Sequence, residues 1–117
     1  MSKLVKFDIW VTDMNPGKGT ESGKIRPVLI VQSNILHKLG HFSTIVCPIS
    51  SQKRDITILR IPVKASEKNG LKNASSVLAD QMTAIDLSRL KERIGFLEEE
   101  YHENVQGALA LLLDLER

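Results

Sequence analysis

The stretch from Phe7 to Val31 reads FDIWVTDMNPGKGTESGKIRPVLIV, and its two ends carry the two apolar patterns that strands adopt. From Phe7 to Met14 apolar and polar residues alternate, with β-branched and aromatic side chains among them. That is the period of a strand with one face buried. The pattern breaks at Asn15-Pro16-Gly17, and the segment from Asn15 to Ile25 holds three glycines, a proline, two lysines and a glutamate. Such a composition makes a long loop. Arg26-Pro27 closes it and leads into Val28–Val31, a continuous apolar run suited to a strand buried on both faces. Pro27 is expected at the first residue of that strand, where a missing N–H is tolerated.

Working outward, Phe42–Pro48 reads as a third strand, Thr57–Val63 as a fourth and Ser76–Ala79 as a fifth, with a polar turn over Glu67–Asn73. Asp86–Lys91 predicts a helical turn capped by Asp86 or Ser88, and Arg93–Leu97 a last strand. From Glu98 to Glu116, Val105, Leu109, Leu112 and Leu113 recur at three- and four-residue spacing, and three glutamates stand where a helix N-terminus favours negative charge. The expected fold is mainly β with α: a small, strongly bent barrel of short, mostly antiparallel strands capped by a C-terminal amphipathic helix. No repeat or linker divides residues 1–117, which read as one domain.

Composition narrows the chemistry. The chain has 117 residues, 42% of them hydrophobic, with one cysteine and five aromatics (three Phe, one Trp, one Tyr). That suffices for one cored domain and is too short for a doubly wound nucleotide-binding enzyme with a second substrate domain. The stretch from Met1 to Arg60 carries 9 basic and 4 acidic residues (+5), and the rest 7 and 10 (−3), summing to the net +2. A polyanion would meet the N-terminal half. Cys47 has no partner for a disulfide and reads as a core residue. His37, His41 and His102 are not spaced as metal ligands, so neither metal nor other cofactor is expected. No phosphate-cradling glycine motif occurs, and five aromatics are too few for a base-stacking sheet. The longest apolar run, Ala108–Leu113, cannot span a bilayer, and charge interrupts the place where a secretory signal needs its apolar stretch. A cytoplasmic protein is expected.

What remains is a set of polar groups at strand ends: Glu21 and Arg26, then Ser50, Ser51 and Gln52, then Asp80-Gln81. These residues fall within Asp8-Ile9-Trp10-Val11, Asn15-Pro16-x-x-Gly19-x-Glu21, Arg26–Val31, Cys47–Gln52 and Val77–Gln81. Further along come Ile85-Asp86, Arg89-Leu90 and Ile94-Gly95. The whole series resembles the signature of the MazF/PemK (Kid) toxins of bacterial type II toxin–antitoxin modules, over nearly the full chain. The resemblance implies an SH3-like barrel that acts as a homodimer. It implies a metal-independent, sequence-specific endoribonuclease that cuts single-stranded RNA, neutralised by a cognate antitoxin with an acidic C-terminal segment.

Matched position by position, Arg26 would bind the scissile phosphate and stabilise the charge developing on it, since a guanidinium fork suits two phosphoryl oxygens. Glu21 would be the base, its ionised form favoured by Lys18, Lys24 and Arg26. Ser50 and Ser51 stand where threonine is common; either could hydrogen-bond a phosphoryl oxygen or simply cap a turn. Asp80 and Gln81 are catalytic in some arrangements and structural in others. Lys18, Lys24, Lys53 and Arg54 would touch phosphates, with Thr20 and Gln52 also on the RNA. Leu78 and Thr20 replace the arginine and histidine of the Kid branch, so that branch's catalytic arrangement is not expected. Trp10 is either packed in a core or dimer face or offered to a base. Two rival readings keep the fold and lose the chemistry: a toxin that binds DNA gyrase, and a catalytically weak homologue that still binds antitoxin.

Overall fold

The computed structural model describes residues 3–13, 25–52 and 58–116. Among these are seven strands, β1 (Asp8–Asp13), β2 (Ile25–Ile30), β3 (Ser43–Ser50), β4 (Arg60–Val63), β5 (Ser75–Leu78), β6 (Thr83–Asp86) and β7 (Leu90–Phe96). Two α-helices, α1 (Asn34–Lys38) and α2 (His102–Leu113), complete them. The strands form one antiparallel sheet in the order β4-β5-β3-β2-β1-β7, with β6 beside the first half of β3. The mainly β architecture with a C-terminal helix is the expected one.

β1 and β2 pair from Ile9 opposite Leu29 to Asp13 opposite Ile25. Ile9 and Leu29 enter the main core with Val105 and Ala108 of α2, while Trp10 and Val28, one residue along, join Ile30, Val46 and Ile85 in a second cluster. Period-two alternation therefore buries both faces of β2, as its continuous apolar run predicts. Trp10 is 6% exposed and is a packing residue. β2 starts two residues earlier than its pattern suggested, so Pro27 is its third residue, opposite Val11. It precedes Val28–Ile30, the part of β2 that pairs with β3, and so stands clear of that second ladder.

β3 runs on past its expected stop at Pro48. Along one edge it pairs with β6 through Ser43–Val46 and then with β5 through Ile49 and Ser50; Cys47 and Pro48 fall between the two partners, where a strand tolerates proline. Cys47 is fully buried, and its thiol is pushed up to about 12 by burial first and by the charge of Asp80 second. It is a core residue without thiolate chemistry. β4 is shorter than read, beginning at Arg60, and Thr57 lies outside the described residues. β5 ends at Leu78, Ala79 opening a 3-10 turn over Ala79–Gln81.

Asp86 caps a 3-10 turn at Leu87–Arg89, its carboxylate accepting from the Ser88 N–H at 2.9 Å. β7 then begins three residues before the expected Arg93. The final helix is shorter than Glu98–Glu116. A 3-10 turn at Glu99–Tyr101 precedes α2, which ends where Asp114 turns left-handed. Its buried stripe is Val105, Ala108 and the adjoining Leu109; Leu112 and Leu113 are 38% and 47% exposed.

The polar turn at Glu67–Asn73 hides a fully buried side chain. Asn69 Oδ1 accepts from the N–H groups of Ser66 and Leu71, and Nδ2 donates to Lys64 O and Glu98 Oε1, which saturates the amide. Ser66 Oγ donates to the other Glu98 oxygen at 2.6 Å. Burial opposes ionisation of Glu98, but the hydrogen bonds from Ser66, its own backbone and Asn69, with Lys68 nearby, outweigh it and hold the carboxyl below its ordinary range. A depressed carboxylate adds stability above its unfolded pKa and loses it as pH falls through the folded one. The unfolding temperature should therefore fall as pH drops below the usual glutamate range. Glu98→Gln should flatten part of that slope in thermal melts between pH 3 and 7; a slope identical to wild type would refute the assignment.

Candidate functional site

At one end of the sheet a cavity of about 580 Å³ opens beside the point where β2 begins. Arg26 and Pro27 of β2, Val11 of β1 and Ile49–Gln52 at the end of β3 form two of its sides. Gly70–Asn73 and Glu92 with Ile94 form the others.

Each wall has a local cause. β1 is pinned at its end by Thr12, a fully buried residue whose hydroxyl donates to Arg89 O at 2.7 Å, while Arg89 Nη1 donates to Asp13 O at 3.2 Å. Asp13 pairs with Ile25, so segment 14–24 leaves and returns at two clamped neighbours. Arg26 follows, opposite Thr12 and half-buried, with no protein partner for its guanidinium among the described residues. At the end of β3, Ser50 Oγ accepts from the Gln52 N–H at 3.1 Å, a turn that keeps the hydroxyl at the cavity rim. An oxygen that accepts once still has its own proton to donate. The turn-cap and ligand-binding readings of Ser50 are thus compatible. Ser51 and Gln52 line the same rim and are exposed.

The third wall stands because two backbone segments touch. A side chain at Gly95 would meet the Lys68 carbonyl oxygen at 2.3 Å, and one at Gly70, whose φ is +73°, would meet the Ile94 oxygen at 2.2 Å. The Phe96 N–H donates to Lys68 O at 3.0 Å. Glycine at both positions lets the 67–70 turn lie directly on β7, and Lys72, Asn73 and Glu92 line the same cavity.

The structure thus brings Arg26, Ser50, Ser51 and Gln52 together. It does not bring Asp80 and Gln81 to them. Asp80 pairs with Arg60 at 3.3 Å, on the 3-10 turn after β5, and neither residue of the Asp-Gln pair lines the cavity. That geometry fits the structural reading of Asp80. Glu21, Lys18, Thr20, Lys24, Lys53 and Arg54 lie outside the described residues. Lys72, Asn73 and Glu92 line the cavity too, although the sequence presents the first two as part of a polar turn and Glu92 before the expected start of the last strand. Among the described residues, no three His, Cys, Asp or Glu side chains gather as metal ligands.

Residues 6–113 match the family described as PemK-like, MazF-like toxin of type II toxin-antitoxin system. The chain is 31% identical over 111 residues to Endoribonuclease EndoA of Bacillus subtilis (strain 168), covering 92% of each protein. Among solved structures it is similar to the Mycobacterium tuberculosis toxin MazF-mt6, with a TM-score of 0.77, 25% identity, and 94% of this chain and 99% of that one covered. A MazE-MazF crystal structure from Deinococcus radiodurans shares the fold with a TM-score of 0.82 at 20% identity, over 99% of this chain and all of that one.

Proposed function

Because the chain belongs to the PemK-like, MazF-like toxins of type II toxin–antitoxin systems, we propose that it is an endoribonuclease whose catalytic centre is the Arg26 cavity. The observation that carries the assignment is that Arg26 and Ser50 line one cavity large enough for a nucleotide.

The substrate is single-stranded RNA, which supplies its own nucleophile. The 2′-hydroxyl loses a proton to a base, its oxygen attacks the adjacent phosphorus, and the bond to the 5′-oxygen breaks as that oxygen gains a proton. The products are a 2′,3′-cyclic phosphate and a 5′-hydroxyl. Arg26 grips two phosphoryl oxygens and stabilises the crowded anionic phosphorane; preorganised donors of this type often supply the largest part of a rate enhancement. Ser50 donates a third hydrogen bond, with Ser51 beside it. Glu21, five residues before Arg26 in the sequence, takes the 2′-hydroxyl proton, a step worth typically ~10²–10⁴-fold. The base and the phosphate ligands are side chains and water supplies the proton that the 5′-oxygen gains, so this reading needs no metal ion. Lys18, Lys24, Lys53, Arg54, Thr20 and Gln52 hold the flanking strand.

A second copy of the chain and a cognate antitoxin are the protein partners in this reading. The antitoxin's acidic C-terminal segment lies over the same cationic cavity. No described helix is long and apolar enough to cross a membrane, and the cytoplasm, where RNA is found, is the expected compartment.

The test incubates pure protein with a long single-stranded RNA in EDTA and maps the ends. Discrete cuts bearing 2′,3′-cyclic phosphates are expected. A strict requirement for Mg²⁺, or no cleavage while toxicity persists through gyrase binding, would overturn the reading.

A further inference from the structure

Glu92 is the one acidic side chain on the described cavity wall, and its presence in a site for a polyanion needs a reason. It lies opposite Val11, which lies opposite Pro27, the neighbour of Arg26. Two strand spacings of ~4.8 Å separate Glu92 from Pro27; strand alternation turns Arg26, opposite Thr12, to the other face, and both residues line the one cavity at the end of the sheet. β7 shifts register against β1 on either side of Trp10-Val11, leaving Lys91 and Ile94 without β1 partners and setting Glu92 and Ile94 on the same wall. Such irregularities re-aim side chains beside active sites. Among the described residues nothing pairs with the Glu92 carboxylate or with the side chains of Lys72 and Asn73, which line the same cavity.

A carboxylate repels phosphate, so the phosphate held by Arg26 cannot sit at Glu92. A base can. The two carboxylate oxygens accept only, and guanine alone among the four bases presents two adjacent donors, N1–H and N2–H, on its pairing edge. The O6 acceptor next to them suits the Lys72 ammonium or the Asn73 amide. We propose that Glu92 makes the cavity a guanine subsite beside the scissile phosphate, with Lys72 and Asn73 completing the contact. The proposal rests on the nuclease reading and adds to it the identity of one recognised base.

The experiment compares cleavage maps of wild type, Glu92→Gln and Lys91→Ala on a randomised single-stranded RNA pool, together with a defined substrate carrying inosine for guanine. Wild type should cut at sites sharing a guanine at one fixed position next to the scissile bond. Inosine, which lacks the N2 amino group, should slow cleavage about tenfold or more, in the range expected for losing part of a two-bond contact. Glu92→Gln presents one acceptor and one donor, so its sites should move from guanine toward adenine or cytosine, and inosine should cost it little further. Lys91→Ala, off the cavity, should keep the wild-type map. Sites without a shared guanine, or a Glu92→Gln map equal to wild type, would overturn the subsite while leaving the nuclease intact. If wild type cuts no RNA at all, both readings fall.

Discussion

Arg26→Ala should lower RNA cleavage by about 10³-fold, the upper range seen when one preorganised donor to a developing oxyanion is removed. Arg26 is half-buried on the cavity wall and its guanidinium pairs with no described residue, so its loss breaks no ion pair among the described residues. Thermal unfolding should therefore stay close to wild type, which separates a catalytic effect from a folding one. Arg26→Lys keeps the charge but replaces a planar fork of donors with a single ammonium, and should recover only a small part of the rate. Rates measured under single-turnover conditions locate the loss in the chemical step, because the lysines proposed to hold the strand are untouched. Cleavage within tenfold of wild type in Arg26→Ala would remove Arg26 from the catalytic centre. Unchanged toxicity in that variant would favour the gyrase-binding alternative.

The parts of the fold that were legible in the sequence are those whose pattern is local. β1 and β2 declare themselves by alternation and by an unbroken apolar run, and Asp86 announces a cap because its carboxylate needs only the next two residues to find a donor. β6 was illegible: of Thr83–Asp86 only Ile85 is buried, and the segment is a strand because the free edge of β3 lies beside it. α1 has no buried residue at all and is held by the Ser33 cap. At the site, Arg26 and Ser50 could be placed because each sits at the end of a readable strand. Glu92 could not, since two register shifts against β1 erase the period-two signal over the residues around it. Asp80 reads as a candidate beside Gln81 in one dimension, and only the fold reveals that Arg60, twenty residues earlier, neutralises it.

Gly95→Ala should strongly destabilise this protein. Gly95 is a β7 residue opposite Ile9, and its hydrogen occupies the space where the backbone of Lys68 and Asn69 passes. A Cβ would lie 2.3 Å from the Lys68 oxygen and 2.6 Å from the Asn69 carbonyl carbon. These are backbone atoms, fixed by the Phe96–Lys68 hydrogen bond and by the saturated Asn69 amide, so no rotamer change relieves the clash. Overpacking commonly costs 1–3 kcal/mol where side chains can yield; here the turn itself must lift, and a loss of about 3 kcal/mol or more is expected. For a domain this size that lowers the melting temperature by roughly 10 °C or more. The same displacement moves Gly70–Asn73 away from Glu92, so a fraction that still folds should cut RNA with relaxed base preference although Arg26 and Ser50 are intact. Melting within 3 °C of wild type, with an unchanged cleavage map, would show that the turn does not rest on β7 as closely as the geometry requires.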